Sequence, residues 1–116
     1  MATHETLNYV EFPSTNISAT KAFFEKCFGW VFVDYGPDYA AFSNQGLDGG
    51  FFKSNVPART ADGSALLVFY SARLEETLSK VEAAGGTIVK PIFAFPGGRR
   101  FQFAEPSGTE IGVWSE

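Results

Sequence analysis

The feature that most constrains this chain is that it runs through one order of elements twice. Leu7 to Phe12 reads as a strand that ends at Pro13. Ser14-Thr15-Asn16 offers capping side chains, and Ile17 to Phe28 carries Ile17, Phe24 and Phe28 at helical spacing with Phe23 and Cys27 beside them. Gly29 is placed to stop that helix in the left-handed conformation. Three short strands follow, Trp30 to Asp34, Tyr39 to Ser43 and Gly49 to Lys53, with Gly36-Pro37-Asp38 and Asn44-Gln45-Gly46 as turns. After Pro57 to Gly63 the order begins again. Ala65 to Tyr70 is a strand. Arg73 to Ala84 is a helix with a Leu74, Leu78, Val81 stripe, acidic Glu75 and Glu76 in its first turn, and a Glu76/Lys80 pair. Thr87 to Val89, Arg99 to Ala104 and Thr109 to Ser115 complete it as strands. The chain therefore reads as βαβββ, linker, βαβββ.

Each half holds about 58 of the 116 residues, too few to bury a stable core alone. The expectation is one α+β domain of two βαβββ modules, residues 5–56 and 64–116, joined by a linker at 57–63. Composition narrows the function. A net charge of −4 and a pI near 4.9 disfavour nucleic-acid phosphates. No apolar run reaches membrane-spanning length, and the first residues lack a basic-then-apolar leader, so a cytoplasmic protein is expected. One Cys excludes an intrachain disulfide, and one His with one Cys excludes zinc-finger spacings.

Four words carry a resemblance. Asn8-Tyr9-Val10-Glu11-Phe12-Pro13, Lys21-Ala22-Phe23-Phe24-Glu25-Lys26-Cys27-Phe28-Gly29-Trp30, Val81-Glu82-Ala83-Ala84-Gly85-Gly86 and Glu105-Pro106-Ser107-Gly108-Thr109, in this order and spacing, resemble the vicinal oxygen chelate superfamily of glyoxalase I, bleomycin-resistance proteins and extradiol dioxygenases. Phe95 to Phe103 and Gly112-Val113-Trp114 look most like its glyoxalase-related, lactoylglutathione-lyase-like subgroup. The resemblance implies paired modules whose mixed sheets curl around a cavity, and a homodimer in which modules pair within a chain or are exchanged at the linker. It also implies metal ligands on the first and last strands of each module. Those positions fall on Tyr9, on Gly49 or Gly50, on Leu66 and on Gly112. Leucine and glycine side chains cannot coordinate. His4, the sole histidine, precedes the first strand, so no metal or other cofactor is expected.

Strand alternation supplies the remaining candidates. Val10 and Phe12 suit the helix side, leaving Tyr9 and Glu11 for the cavity. A carboxylate enclosed there would have its pKa raised and could serve as acid or base; the alternative is an arginine partner or the rim. Glu110, Gly112 and Trp114 share one face of the last strand. Glu110 could replace a lost ligand or sit at the rim, and Trp114 could stack on a planar ligand or fill core. In Arg99 to Phe103, Phe101 and Phe103 should face a helix, while Arg100 and Gln102 face the cavity. Arg100 there would clamp an anion or neutralise Glu11 or Glu110. Phe51-Phe52 splits between the faces, which puts Phe52 with the cavity. Cys27 reads as a small buried apolar residue. Two functions follow: a metal-free protein that binds a small organic molecule in an aromatic-rich cavity through these side chains, or a metal-assisted lyase or isomerase with a non-standard site.

Overall fold

The computed structural model describes residues 2–116, and the order of elements is the expected one. The first module holds β1 (Tyr9–Ser14), α1 (Ile17–Phe28), β2 (Phe32–Asp34), β3 (Tyr39–Gln45) and β4 (Leu47–Lys53). The second holds β5 (Val68–Tyr70), α2 (Leu74–Ala83), β6 (Thr87–Phe95), β7 (Gly98–Ala104) and β8 (Glu110–Ser115), after a short 3-10 turn at Thr60–Asp62. Each module forms one mixed four-stranded sheet, ordered β1-β4-β3-β2 in sheet A and β5-β8-β7-β6 in sheet B. The first and last strands of each module pair parallel, and the other pairs are antiparallel.

Helix α1 begins and ends where its caps dictate. The Asn16 side chain accepts from the Ala19 N–H at 3.1 Å, and Gly29 adopts φ 70° and returns its N–H to Glu25. Several strand bounds differ from expectation. β1 runs through Pro13, and β6 runs through Pro91 as far as Phe95. Both are edge strands, where a missing N–H costs no ladder bond. β2 starts at Phe32 because the Trp30 N–H is taken by the Phe24 carbonyl. β5 shrinks from six expected residues to Val68–Tyr70.

The inner faces of both sheets and the two helices share one aromatic core. Phe23 and Phe24 of α1 are 1% and 0% exposed. Phe24 stacks on Trp30 at 4.5 Å and packs near Phe51, and Phe23 reaches Phe103 of the second module at 5.6 Å. Phe69 of β5 lies parallel to Trp30 at 5.8 Å. The modules are therefore fused through their aromatic rings. Cys27 belongs to this core; burial pushes its thiol up to about 11, an inert apolar role.

A polar clasp also joins the modules. Glu105, only 2% exposed, accepts from Ser107 Oγ at 2.6 Å, from the Thr109 N–H at 2.9 Å, and from the Thr20 hydroxyl on α1. Thr109 donates to the Pro13 carbonyl at 2.7 Å, and Thr15 to the Ser107 carbonyl at 2.8 Å. The turn expected at Pro106-Ser107-Gly108 is thus a bolt across the module boundary.

Candidate functional site

The candidate residues lie on the outward faces of the two sheets, away from the core, and register shows which belong together. In sheet A, Glu11 is paired with Gly50 and Tyr39 with Phe52. Tyr9, Glu11, Tyr39 and Phe52 therefore share one face. Gly50 is what lets Tyr39 lie across β4 toward β1, since a Cβ there would overlap the Tyr39 ring and hydroxyl. Tyr39 donates to Glu11 Oε2 at 2.9 Å. Its single proton is then used, so the 2.6 Å contact with Tyr9 has Tyr9 donating. Burial and these two partners push the Tyr39 hydroxyl well above the usual phenol range. The face is open, with Tyr9 46% exposed and Glu11 exposed as well. The enclosure expected around Glu11 is therefore absent, and its polar partner is a tyrosine, not an arginine.

Sheet B is arranged equivalently. Arg100 is paired with Trp114, Gln102 with Gly112 and Val68 with Gly112, so Arg100 occupies the position that Tyr39 holds in sheet A. The guanidinium of Arg100 lies over Phe93 at 5.2 Å and Phe95 at 5.8 Å. One of its amino groups donates to Gln102 Oε1 at 3.1 Å, and its buried Nε has no hydrogen-bond partner. Among the described residues it makes no ion pair with a carboxylate. The expected neutralisation by Glu11 or Glu110 does not occur, because Gln102 stands between: its Nε2 donates to Glu110 Oε2 at 2.5 Å. An open depression of about 350 Å³ lies beside Arg100, walled by Val68, Phe95, Gly97 and Trp114. Trp114 is half-buried, edge-on to Tyr70 at 5.1 Å and to Phe95 at 6.4 Å, so it serves as a wall of that depression and not as core.

Glu110 is neither a rim group nor exposed; it is 4% exposed because the linker folds over it. The Thr60 N–H and hydroxyl donate to Oε1 at 2.8 and 2.9 Å, and Arg59 Nε stands 3.8 Å away. Burial alone would raise this carboxyl. The Thr60 N–H, the Gln102 amide, the Thr60 hydroxyl and the Arg59 charge outweigh it, and Glu110 sits below the usual carboxylate range. Arg59, Thr60 and Phe93 were invisible to sequence reasoning. The first two lay in a stretch read as linker, and Phe93 lies beyond Val89, where the expected strand stopped.

The positions implied for a metal do not fit one. Leu66 lies over Gly112, with its Cδ2 3.3 Å from where a Cβ would stand, and Tyr39 covers Gly50. An alkyl chain and a phenol over two glycines are not a donor set for a divalent ion. Among the described residues, exposed His4 contacts Glu5 as its one charged partner, at 2.6 Å. Among the described residues no three His, Cys, Asp or Glu side chains cluster.

Comparison with known proteins agrees with this architecture. A search of curated protein sequences finds no match. Among solved structures, FosX, a genomically encoded fosfomycin resistance protein of Listeria monocytogenes, matches with a TM-score of 0.79 at 16% identity, over 98% of this chain and 95% of that one. A glyoxalase-related enzyme from Fulvimarina pelagi matches at 0.76 and 17% identity, over 97% and 88%. Lactoylglutathione lyase from Agrobacterium tumefaciens matches at 0.71 and 17%, over 96% and 93%. At such identities these show a shared fold. The model of one family, however, spans residues 6–113, nearly the whole chain, and on that match the chain belongs to the glyoxalase/bleomycin resistance protein/dioxygenase superfamily.

Proposed function

We propose that this protein binds a small organic anion, a carboxylate on an apolar body, at the outward face of sheet B and without a metal. The observation that carries this reading is Arg100. It is a guanidinium seated over two phenyl rings, unpaired with any carboxylate among the described residues, beside an open aromatic-walled depression. A planar fork in such a setting suits a carboxylate bidentately, and Trp114 offers a ring wall for the ligand's body. Gln102, fixed by Glu110, holds the fork in place from below. The family's name, which includes bleomycin resistance proteins, supports binding of a small molecule. We further infer a homodimer in the cytoplasm, with the open face of Tyr9 and Phe52 covered on pairing.

The test uses aryl carboxylates, with benzoate the simplest, in isothermal titration. Arg100→Ala weakens binding by about 1.5–3 kcal/mol, the scale of a hydrogen bond to a charged group. Arg100→Lys recovers only part of it, because an ammonium cannot make the planar pair. Chelator treatment leaves affinity unchanged. Equal affinity in the alanine variant, or loss of binding with chelator, overturns the reading.

A further inference from the structure

A second depression adjoins the first at Val68 and has different chemistry. It occupies about 410 Å³ between β1 and β5, within the size range of small-molecule sites. Those two strands are the edges of their respective sheets. Its walls are Val10 and Phe12 from β1, Trp30, Phe42 and Leu47 from the rest of module one, and Leu67 to Tyr70 from module two. Trp30, Phe42 and Phe12 are otherwise buried at 5%, 5% and 6%, and their small exposed remainder borders this gap. Trp30 packs on Phe42 with ring centres 4.3 Å apart and lies parallel to Phe69 at 5.8 Å, so the wall is a stack of aromatic rings.

Among the described residues no charged side chain lines the gap; its polar groups are Gln45 and Tyr70 together with backbone. An anion or cation entering would leave water with no partner. We propose that the cleft between the two modules is a binding site for an uncharged apolar molecule of small-molecule size, different in chemistry from the anion site at Arg100. Its occupant bridges the module boundary, so it binds the assembled chain and not either half. Neutrality follows from the absence of any charge among the described residues of the lining.

The two tryptophans make the site measurable, since Trp30 borders this cleft and Trp114 borders the other depression. The probe is 1-aminoanthracene, uncharged at neutral pH, titrated into the full chain and into Trp114→Phe, whose remaining indole is Trp30. The expected result is saturable binding of one probe per chain, with energy transfer from Trp30 retained in Trp114→Phe. Leu67→Phe and Leu47→Phe place a ring in the gap from opposite modules. Each is expected to weaken the probe at least tenfold while leaving circular dichroism unchanged, and whichever variant folds suffices. The proposal is overturned by absence of saturable binding up to the probe's solubility. It is equally overturned by transfer that vanishes in Trp114→Phe, or by full affinity in a folded filled variant. Failure here leaves the carboxylate titration at Arg100 untouched, because the two use different probes and different tryptophans.

Discussion

At the scale of single residues, three groups show how much a side chain's neighbours decide. Glu110 is a buried carboxylate that four donor or cationic groups hold ionised. Its pKa is lower folded than unfolded. Its contribution to stability is therefore complete above the unfolded carboxylate value of about 4.3 and is lost as pH falls through the folded value. Glu110→Gln should cost about 1–3 kcal/mol at pH 7 and much less at pH 3, read by denaturant unfolding at both pH values. A pH-independent loss contradicts this account. The adjacent glycines of β4 make a second contrast. The atoms nearest a Cβ at Gly50 all belong to the outer end of the Tyr39 ring, whereas one at Gly49 meets the Val10 backbone carbonyl and the Phe42 ring. Gly50→Ala should therefore cost about 0.5–1.5 kcal/mol by displacing the Tyr39 hydroxyl. Its effect should be non-additive with Tyr39→Phe in a double-mutant cycle. Gly49→Ala should cost more and show no such coupling. Additive losses for Gly50→Ala and Tyr39→Phe would refute the cradle role.

At the scale of elements, the repeat extends below the order of strands to individual hydroxyls. Ser14 Oγ meets Thr20 Oγ1 at 2.7 Å, and 57 residues later Ser71 Oγ meets Thr77 Oγ1 at the same distance. Both serines also accept the N–H of the residue before their helix, Asn16 and Arg73. This serine-threonine brace fixes how each first strand turns into its helix. It was legible in the sequence, as Ser and Thr six apart in both halves, but the words that carried the resemblance lay elsewhere. Helix α1 was readable to the residue because Asn16 and Gly29 act locally. β6 was not, because whether Pro91 ends a strand depends on which edge of a sheet it occupies, a non-local fact. The two braces differ in what they hold. Thr20 also donates to buried Glu105, while no carboxylate is bonded to Thr77. Thr20→Val should thus cost about 1–3 kcal/mol, since it leaves a buried carboxyl oxygen without its donor, and Thr77→Val about 0.5–1.5 kcal/mol. Equal melting temperatures for the two variants would show that the Glu105 bond carries no weight.

At the scale of the whole molecule, the question is whether the modules are independent pieces or halves of one core. The sequence pointed to halves on length alone; the structure supplies the contacts. Phe23 and Phe24 stand on a helix of the first module, yet Phe103 and Phe69 of the second complete their surroundings. Glu105 of the second module is bonded to a hydroxyl of the first. The outward faces could be ranked only partly from sequence. Alternation assigns side chains to faces, but burial of Glu110 depends on where Arg59 and Thr60 come to rest, and no periodicity encodes that. Severing the chain in the linker tests the single-core account. Residues 1–56 alone would expose Phe23, Phe24 and Phe51, and residues 59–116 alone would leave Glu105 short of the Thr20 hydroxyl. A fragment of this size buries only about 60% of its unfolded surface, a marginal proportion before those losses. Each fragment should lack a cooperative thermal transition by circular dichroism. Mixing them should restore one, because the aromatic contacts and the clasp need no intact linker. A cooperative transition in either fragment alone would make the modules separate domains, and the cleft between them would then be a contact surface instead of a gap in one core.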